Sequence, residues 1–265
     1  METYTLTFGD GAETHVGMKR LRGNEIKNGF TTNDLIDFKH KFEGLGAECF
    51  YIDLIKEADI KDAFIDEYSA GLLIIKKGVN YLLENTGKNI DDALEEQRYI
   101  KYDSKYWDNR RNMICNKRAR NNICFGDENI TADFKVGQGT VVSYDNLPIL
   151  SHIKEQFKRF FGDKATDLVG EGNYYYDVSR CGIGYHGDKE RKIVIAMRFG
   201  AKMYLKYQWF YKNNMLGKNM AFNIEHGDIY IMSEKAVGND WLNSNIPTLR
   251  HAAGAEKYTS LKNKF

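Results

Sequence analysis

The stretch Gly182-Ile183-Gly184-Tyr185-His186-Gly187-Asp188-Lys189-Glu190 decides how this chain is read. Residues two apart in an extended strand point to the same side. His186 and Asp188 therefore present two ligand groups together, while Gly187 faces away and leaves space beside them. A further histidine, His251, lies far downstream. Two imidazoles and one carboxylate that leave coordination positions open are the facial triad of non-haem Fe(II) oxygenases. A bare His-x-Asp pair is common by chance, and its neighbours make this one informative.

Around it the sequence is rich in strand patterns. Residues 173–177, 192–199, 203–210, 228–232 and 257–261 all read as strands, with little proline to interrupt them. Many strands in the C-terminal half, with two strand-borne ligand groups, suggest a β-barrel or jelly roll. The N-terminal half is mixed. Thr32-Asn33-Asp34 caps a helix that carries Leu35, Phe38 and Phe42 and closes at Gly44. A strand over 70–75, a helix over 79–83 and another over 89–97 follow. Pro148 opens a helix over 149–161 with Ile149, Ile153, Phe157 and Phe160 on its apolar face.

The 265 residues suit one large domain or one domain with an extension. Lys+Arg at 38 balances Asp+Glu at 37, so any polyanion affinity must come from a local patch. Cys49, Cys115, Cys124 and Cys181 are widely spaced and form no CxxC pair, which argues against a zinc site and for a reducing, intracellular setting. The opening residues 1–10 have neither the basic nor the apolar stretch of a signal peptide, and no apolar run is long enough to span a membrane.

One patch is strongly basic. Over 98–120, Arg98, Lys101, Lys105, Arg110, Arg111, Lys117, Arg118 and Arg120 face only Asp103 and Asp108, with Tyr99, Tyr102, Tyr106 and Trp107 interleaved. Such a mixture suits phosphate contacts and base stacking. The alternative is a solvated charged loop over packed aromatics.

Six elements stand in a fixed order. They are Arg120-Asn121-Asn122-Ile123-Cys124-Phe125-Gly126-Asp127, Asn146-Leu147-Pro148-Ile149-Leu150, Asn173-x-Tyr175, the ligand stretch 182–190, Gly227-Asp228-Ile229-Tyr230-Ile231-Met232-Ser233, and His251 followed by Lys257-Tyr258-Thr259-Ser260-Leu261. Over 120–261 this series resembles the AlkB-type 2-oxoglutarate-dependent dioxygenases, especially the nucleic-acid demethylases among them. The resemblance implies an α+β chain with a double-stranded β-helix (jelly-roll) core and flanking helices over 96–265. An N-terminal α/β extension over 1–95 would precede it, and a substrate lid would span about 98–127. It implies Fe(II) held at a catalytic centre of His186, Asp188 and His251, with 2-oxoglutarate and O₂ as cosubstrates. Asn173 and Tyr175, on one strand face, would hydrogen-bond the 2-oxoglutarate. Substrate contacts would come from Arg110, Arg111, Arg118, Arg120, Phe125 and Asp127. Trp241, in a loop near the metal mouth, either touches substrate or anchors that loop.

The chain departs from the family at the cosubstrate anchor. The family carries one Arg at the start of its last core strand and another six residues on, where this sequence has Lys257 and Asn263. Lys257, sharing a strand face with Thr259, is the expected anchor, and Lys262 the second candidate, unless either is an ordinary solvated lysine. A lysine holds a carboxylate as a point charge and not as a fork. Arg198 interrupts a strand where the family has small residues. It binds the 2-oxoglutarate carboxylate or an acidic substrate, or it forms a structural ion pair with Glu225 or Asp228, because a buried charge needs a partner. His226 reads as a turn residue, and His15, His40 and His152 as isolated surface or packing residues.

The expected function is that of a monomeric Fe(II)/2-oxoglutarate-dependent dioxygenase that demethylates or hydroxylates a nucleic-acid base extruded into its pocket. One alternative is the same chemistry on an amino-acid side chain, a nucleotide or a small metabolite. Another is a catalytically inactive nucleic-acid-binding module.

Overall fold

The computed structural model describes residues 1–13, 15 and 17–261. Its strands are β1 (Thr3–Gly9), β2 (Gly11–Glu13), β3 (Arg20–Arg22), β4 (Cys49–Asp53), β5 (Gly71–Ile75), β6 (Lys105–Asp108), β7 (Met113–Asn116), β8 (Asn121–Gly126), β9 (Val141–Ser143), β10 (Val169–Tyr175), β11 (Gly182–His186), β12 (Val194–Gly200), β13 (Met203–Tyr211), β14 (Asn214–Ile224), β15 (Ile229–Met232) and β16 (Thr248–Gly254). The helices are α1 (Thr32–Gly44), α2 (Leu54–Glu57), α3 (Val79–Leu82), α4 (Ile90–Arg98), α5 (Pro148–Glu155), α6 (Phe157–Phe161), α7 (Glu234–Val237) and α8 (Glu256–Thr259). The chain is thus α+β and dominated by sheet. No described helix is long and apolar enough to cross a membrane.

Eight strands form one sheet in the order β4-β5-β15-β12-β1-β10-β8-β9, and four form another in the order β11-β16-β13-β14. The pairings are antiparallel except β8 with β9. The two-residue period of a strand explains how the large sheet serves two cores. Leu6 and Phe8 of β1, Ile195, Met197 and Phe199 of β12, and Ile229 and Ile231 of β15 pack with the faces of α1, α4, α5 and α6. The alternate residues, Val194 and Ala196 of β12 with Tyr230 and Met232 of β15, pack against Leu205, Tyr207, Trp209 and Leu249 of the small sheet. At one end the same inner face carries polar side chains, and there the two sheets enclose a cavity.

Several expected elements form as read. The first helix takes Thr31 as its cap, one residue earlier than expected, in a reciprocal capping box with Asp34. Asn89 caps α4 in the same way. The helix expected over 149–161 is two, broken at Gln156.

Residues 1–95 share the large sheet with the rest of the chain, since β1 lies between β10 and β12 and β5 pairs with β15. One expectation about the C-terminal end is corrected. Residues 257–261 are not a strand. Gly254 turns the chain with φ +96, and α8 follows, its turn closed by bonds from Tyr258 and Ser260 N–H to the carbonyls of Ala255 and Glu256. With β1 bonded to β10 on one side and β12 on the other, no ladder position between them is left for a C-terminal strand.

Candidate metal centre

β11 and β16 are adjacent antiparallel strands, and their register sets His186 directly opposite His251. Asp188 follows β11 by two residues. Among the described residues these three offer ligand atoms that all lie within 4.8 Å of one another. Asp188 Oδ1 is 3.4 Å from His186 Nε2 and 3.5 Å from His251 Nε2. His186 donates its Nδ1–H to the Gly184 carbonyl at 2.7 Å, which leaves the Nε2 lone pair toward the centre. Burial, reinforced by the neighbouring His186, lowers the pKa of His251, so it stays in the neutral form that binds metals. Burial alone would raise the Asp188 carboxyl, but the Arg191 guanidinium and both imidazoles hold it well below the ordinary carboxylate range.

The loop that carries Asp188 is pinned by backbone. Asp188 N–H donates to the Val237 carbonyl at 3.0 Å. A Cβ at Gly187 would sit 2.0 Å from the Gly238 carbonyl oxygen, so only glycine admits this approach. Gly187, expected to leave space beside the ligands, instead serves the close approach of the turn after α7.

A cavity of about 450 Å³ runs inward from the three ligands between the sheets. One row across β12, β1 and β10 lines it: Arg198, Thr5 and Asn173 are direct ladder partners. Tyr175 and Tyr230 also line it. Arg198 is fully buried, and its Nε and Nη1 meet no hydrogen-bond partner. Neither acid expected to pair with it does so: Glu225 and Asp228 both bond Lys76, at 2.9 and 2.6 Å. Burial lowers the Arg198 pKa, opposed by Tyr230 and Tyr175. Asn173 donates to Glu171 Oε1 at 3.0 Å and accepts from Arg120 Nε.

Outside the ligands a groove of about 940 Å³ reaches the same centre. One wall is the β6–β7 hairpin with Arg111 and the segment after it with Lys117, Arg118 and Arg120, and the other includes Tyr185 and Trp241. Burial pushes the Lys117 pKa down to about 8, although Asp103 opposes the shift. Its Nζ donates to Asn122 Oδ1 at 2.5 Å.

Other expected contacts lie elsewhere. Phe125 is fully buried in the core beneath the large sheet. Asp127 is exposed and paired with Lys154 at 3.3 Å. Arg110 lies exposed near the hairpin tip and lines neither space. Lys257 is exposed on α8, its ammonium over the Tyr258 ring, and Thr259 is buried beneath Lys206 Nζ at 3.1 Å. Both positions follow from α8 replacing the expected strand. Lys262 and Asn263 lie outside the described residues. His226 accepts from Gly200 N–H and pairs with Asp91, away from the centre.

No family model matches the chain. It is 41% identical over 257 residues to "Uncharacterized protein R156" of Acanthamoeba polyphaga mimivirus, covering 97% of each chain. The chain belongs to the family of that viral protein.

Sequence reading passed over three contributors to the site. His15 stacks on Tyr106 with ring centroids 3.8 Å apart and reaches both spaces. Thr5 comes from β1, which carried no motif. Arg191, immediately after the quoted stretch, carries a buried guanidinium against Asp188. Only its spacing of three from Asp188 could have drawn notice.

Proposed function

We propose that this protein is an Fe(II)/2-oxoglutarate-dependent dioxygenase that oxidises a base of a nucleic acid. One observation carries the reading: three residues of facial-triad type stand where a cavity between the sheets meets a groove, with an unpaired guanidinium in the cavity wall. The sheet order supports it: β11-β16-β13-β14 packed on β10-β1-β12-β15 is compatible with a double-stranded β-helix in which β1 takes the place of a C-terminal strand. The AlkB-type resemblance over 120–261 agrees with this arrangement.

In this reading His186, Asp188 and His251 hold the metal on one face and leave the rest of its coordination shell open. Iron(II) with 2-oxoglutarate and O₂ supplies, when bound, oxidation of an unreactive C–H bond, with succinate and carbon dioxide as co-products. Arg198 takes the distal carboxylate of 2-oxoglutarate. Its fork replaces the lysine anchor expected from sequence, and a bidentate pair fits a dry site better than a point charge. Asn173 and the Tyr175 hydroxyl, kept protonated by burial, orient the same molecule. The groove takes the substrate strand: Arg111, Lys117 and Arg118 meet phosphates, and Tyr185 or Trp241 faces a base.

The test is turnover of metal-loaded protein with 2-oxoglutarate against methylated oligonucleotides, nucleotides and amino acids, with products read by mass. Substrate-dependent succinate with an oxidised or demethylated base is expected. His186→Ala and His251→Ala should each abolish it and remove Fe(II) binding measured by calorimetry while the fold persists. Turnover only on a nucleotide or amino acid would replace the substrate class, and a chain that binds oligonucleotides without binding iron would be a non-catalytic module.

A further inference from the structure

The two oxygens of Asp188 face different neighbours. Oδ1 faces both imidazoles at 3.4 and 3.5 Å, and Oδ2 faces Arg191 Nε at 3.4 Å. A carboxylate can bind a divalent cation through one oxygen or two, and the second oxygen would occupy a position that an incoming ligand needs. Arg191 is built to prevent this. Its side chain is 4% exposed, and its Nη2 is held by Glu171 Oε2 at 2.6 Å and Glu190 Oε1 at 3.0 Å. Nη1 donates to Thr7 Oγ1 at 3.2 Å. Glu171 is itself braced by Asn173 at 3.0 Å and Asn122 at 3.4 Å. A guanidinium fixed from behind on three sides cannot follow Oδ2 if that oxygen turns away.

We propose that Arg191 is a positioning residue that holds Asp188 to one-oxygen ligation, with Glu171 as its brace, and so keeps a coordination position free for the cosubstrate. This rests on the oxygenase reading above. Arg191 touches neither metal nor substrate and acts through Asp188.

Co(II) is the probe, because its visible spectrum reports the number and kind of ligands without turnover. In the wild-type chain, 2-oxoglutarate should change the spectrum of bound Co(II). Arg191→Met should keep Co(II) affinity within a few-fold yet need about tenfold more 2-oxoglutarate for the same change, the usual scale for losing an outer-shell partner. Arg191→Lys keeps the charge but not the fork and should give a smaller shift in the same direction, as should Glu171→Gln. If Arg191→Met fails to fold, Arg191→Lys decides. A general loss of structure would weaken Co(II) binding and the 2-oxoglutarate response together. Unchanged 2-oxoglutarate dependence in folded Arg191→Lys and Arg191→Met, or loss of Co(II) affinity in parallel, overturns the role of Arg191. A wild-type Co(II) spectrum insensitive to 2-oxoglutarate would overturn the oxygenase reading on which it rests.

Discussion

A guanidinium with two buried, unpartnered nitrogens is costly, and Arg198 carries that cost beside the ligand triad. An anion that enters the cavity relieves it. Charge-assisted hydrogen bonds of this kind are worth roughly 1.5–3 kcal/mol, or about ten- to a hundredfold in binding. Arg198→Met should therefore raise the 2-oxoglutarate concentration for half-maximal response by that factor and leave metal affinity nearly unchanged, as titration calorimetry would read. Lys257→Ala should have no effect, and the reverse pattern would return the anchor to Lys257. The same cost predicts that Arg198→Met is at least as stable to heat as the wild type when no ligand is present. Gly187→Ala is the opposite case: its Cβ cannot fit against the Gly238 carbonyl, so Asp188 must move and metal binding should be lost.

The β6–β7 hairpin is the element that separates the substrate classes. Lys105 to Asp108 pairs with Met113 to Asn116 as a two-stranded ribbon apart from both large sheets; its Arg111, with Lys117 and Arg118 just beyond it, lines the groove. Replacing Arg111 and Arg118 together by Ala should weaken oligonucleotide binding and flatten its salt dependence, because fewer counterions are released. 2-Oxoglutarate turnover without substrate should be unchanged, since neither residue touches the inner cavity. Lys117 adds a pH dependence. Burial depresses its pKa to about 8, so it is charged at pH 7 and largely neutral at pH 9. Oligonucleotide affinity should fall through that interval, and Lys117→Met should remove the fall. The stability effect has the opposite sign. The unfolded lysine binds its proton more tightly than the folded one, so this residue's penalty is full below pH 8 and is relieved as pH rises toward the unfolded value. A thermal unfolding series across pH 7–10 on both proteins would read that difference.

For the whole molecule, the decisive fact is that the first strand of the chain is an inner strand of the large sheet. β1 bonds β10 and β12 along nearly its whole length and places Thr5 and Thr7 beside the ligands. A fragment over 96–265 should not fold. Its far-ultraviolet circular dichroism should lack the β signal of the intact chain, and no cooperative melting transition should appear. Removal of residues 1–9 alone should have nearly the same effect, because two ladders lose their shared partner at once. A cooperative transition in either fragment would restore the extension as a separate unit.

What the sequence determined by itself is local. Strand alternation puts Asn173 and Tyr175 on one face, and both line the cavity. A capping signal locates α1 to within one residue, and the ligand pair with its distal histidine names the three residues that meet. These rest on contacts over a few residues, or on side chains whose chemistry has few other uses together. The tertiary structure decided which strands are neighbours. Phe125 and Asp127 look alike as motif residues, yet one is buried beneath the sheet and the other turned to solvent. Arg198 reads as a misplaced charge until β1 and β10 set Thr5 and Asn173 beside it. Lys257 reads as an anchor until its segment is found to be the short helix α8, with the ammonium over Tyr258 at the surface, while the inner strand between β10 and β12 is β1, some 250 residues earlier. Pairing at such separation is fixed by the sum of many weak side-chain contacts across two cores, and no short stretch of the chain contains that sum.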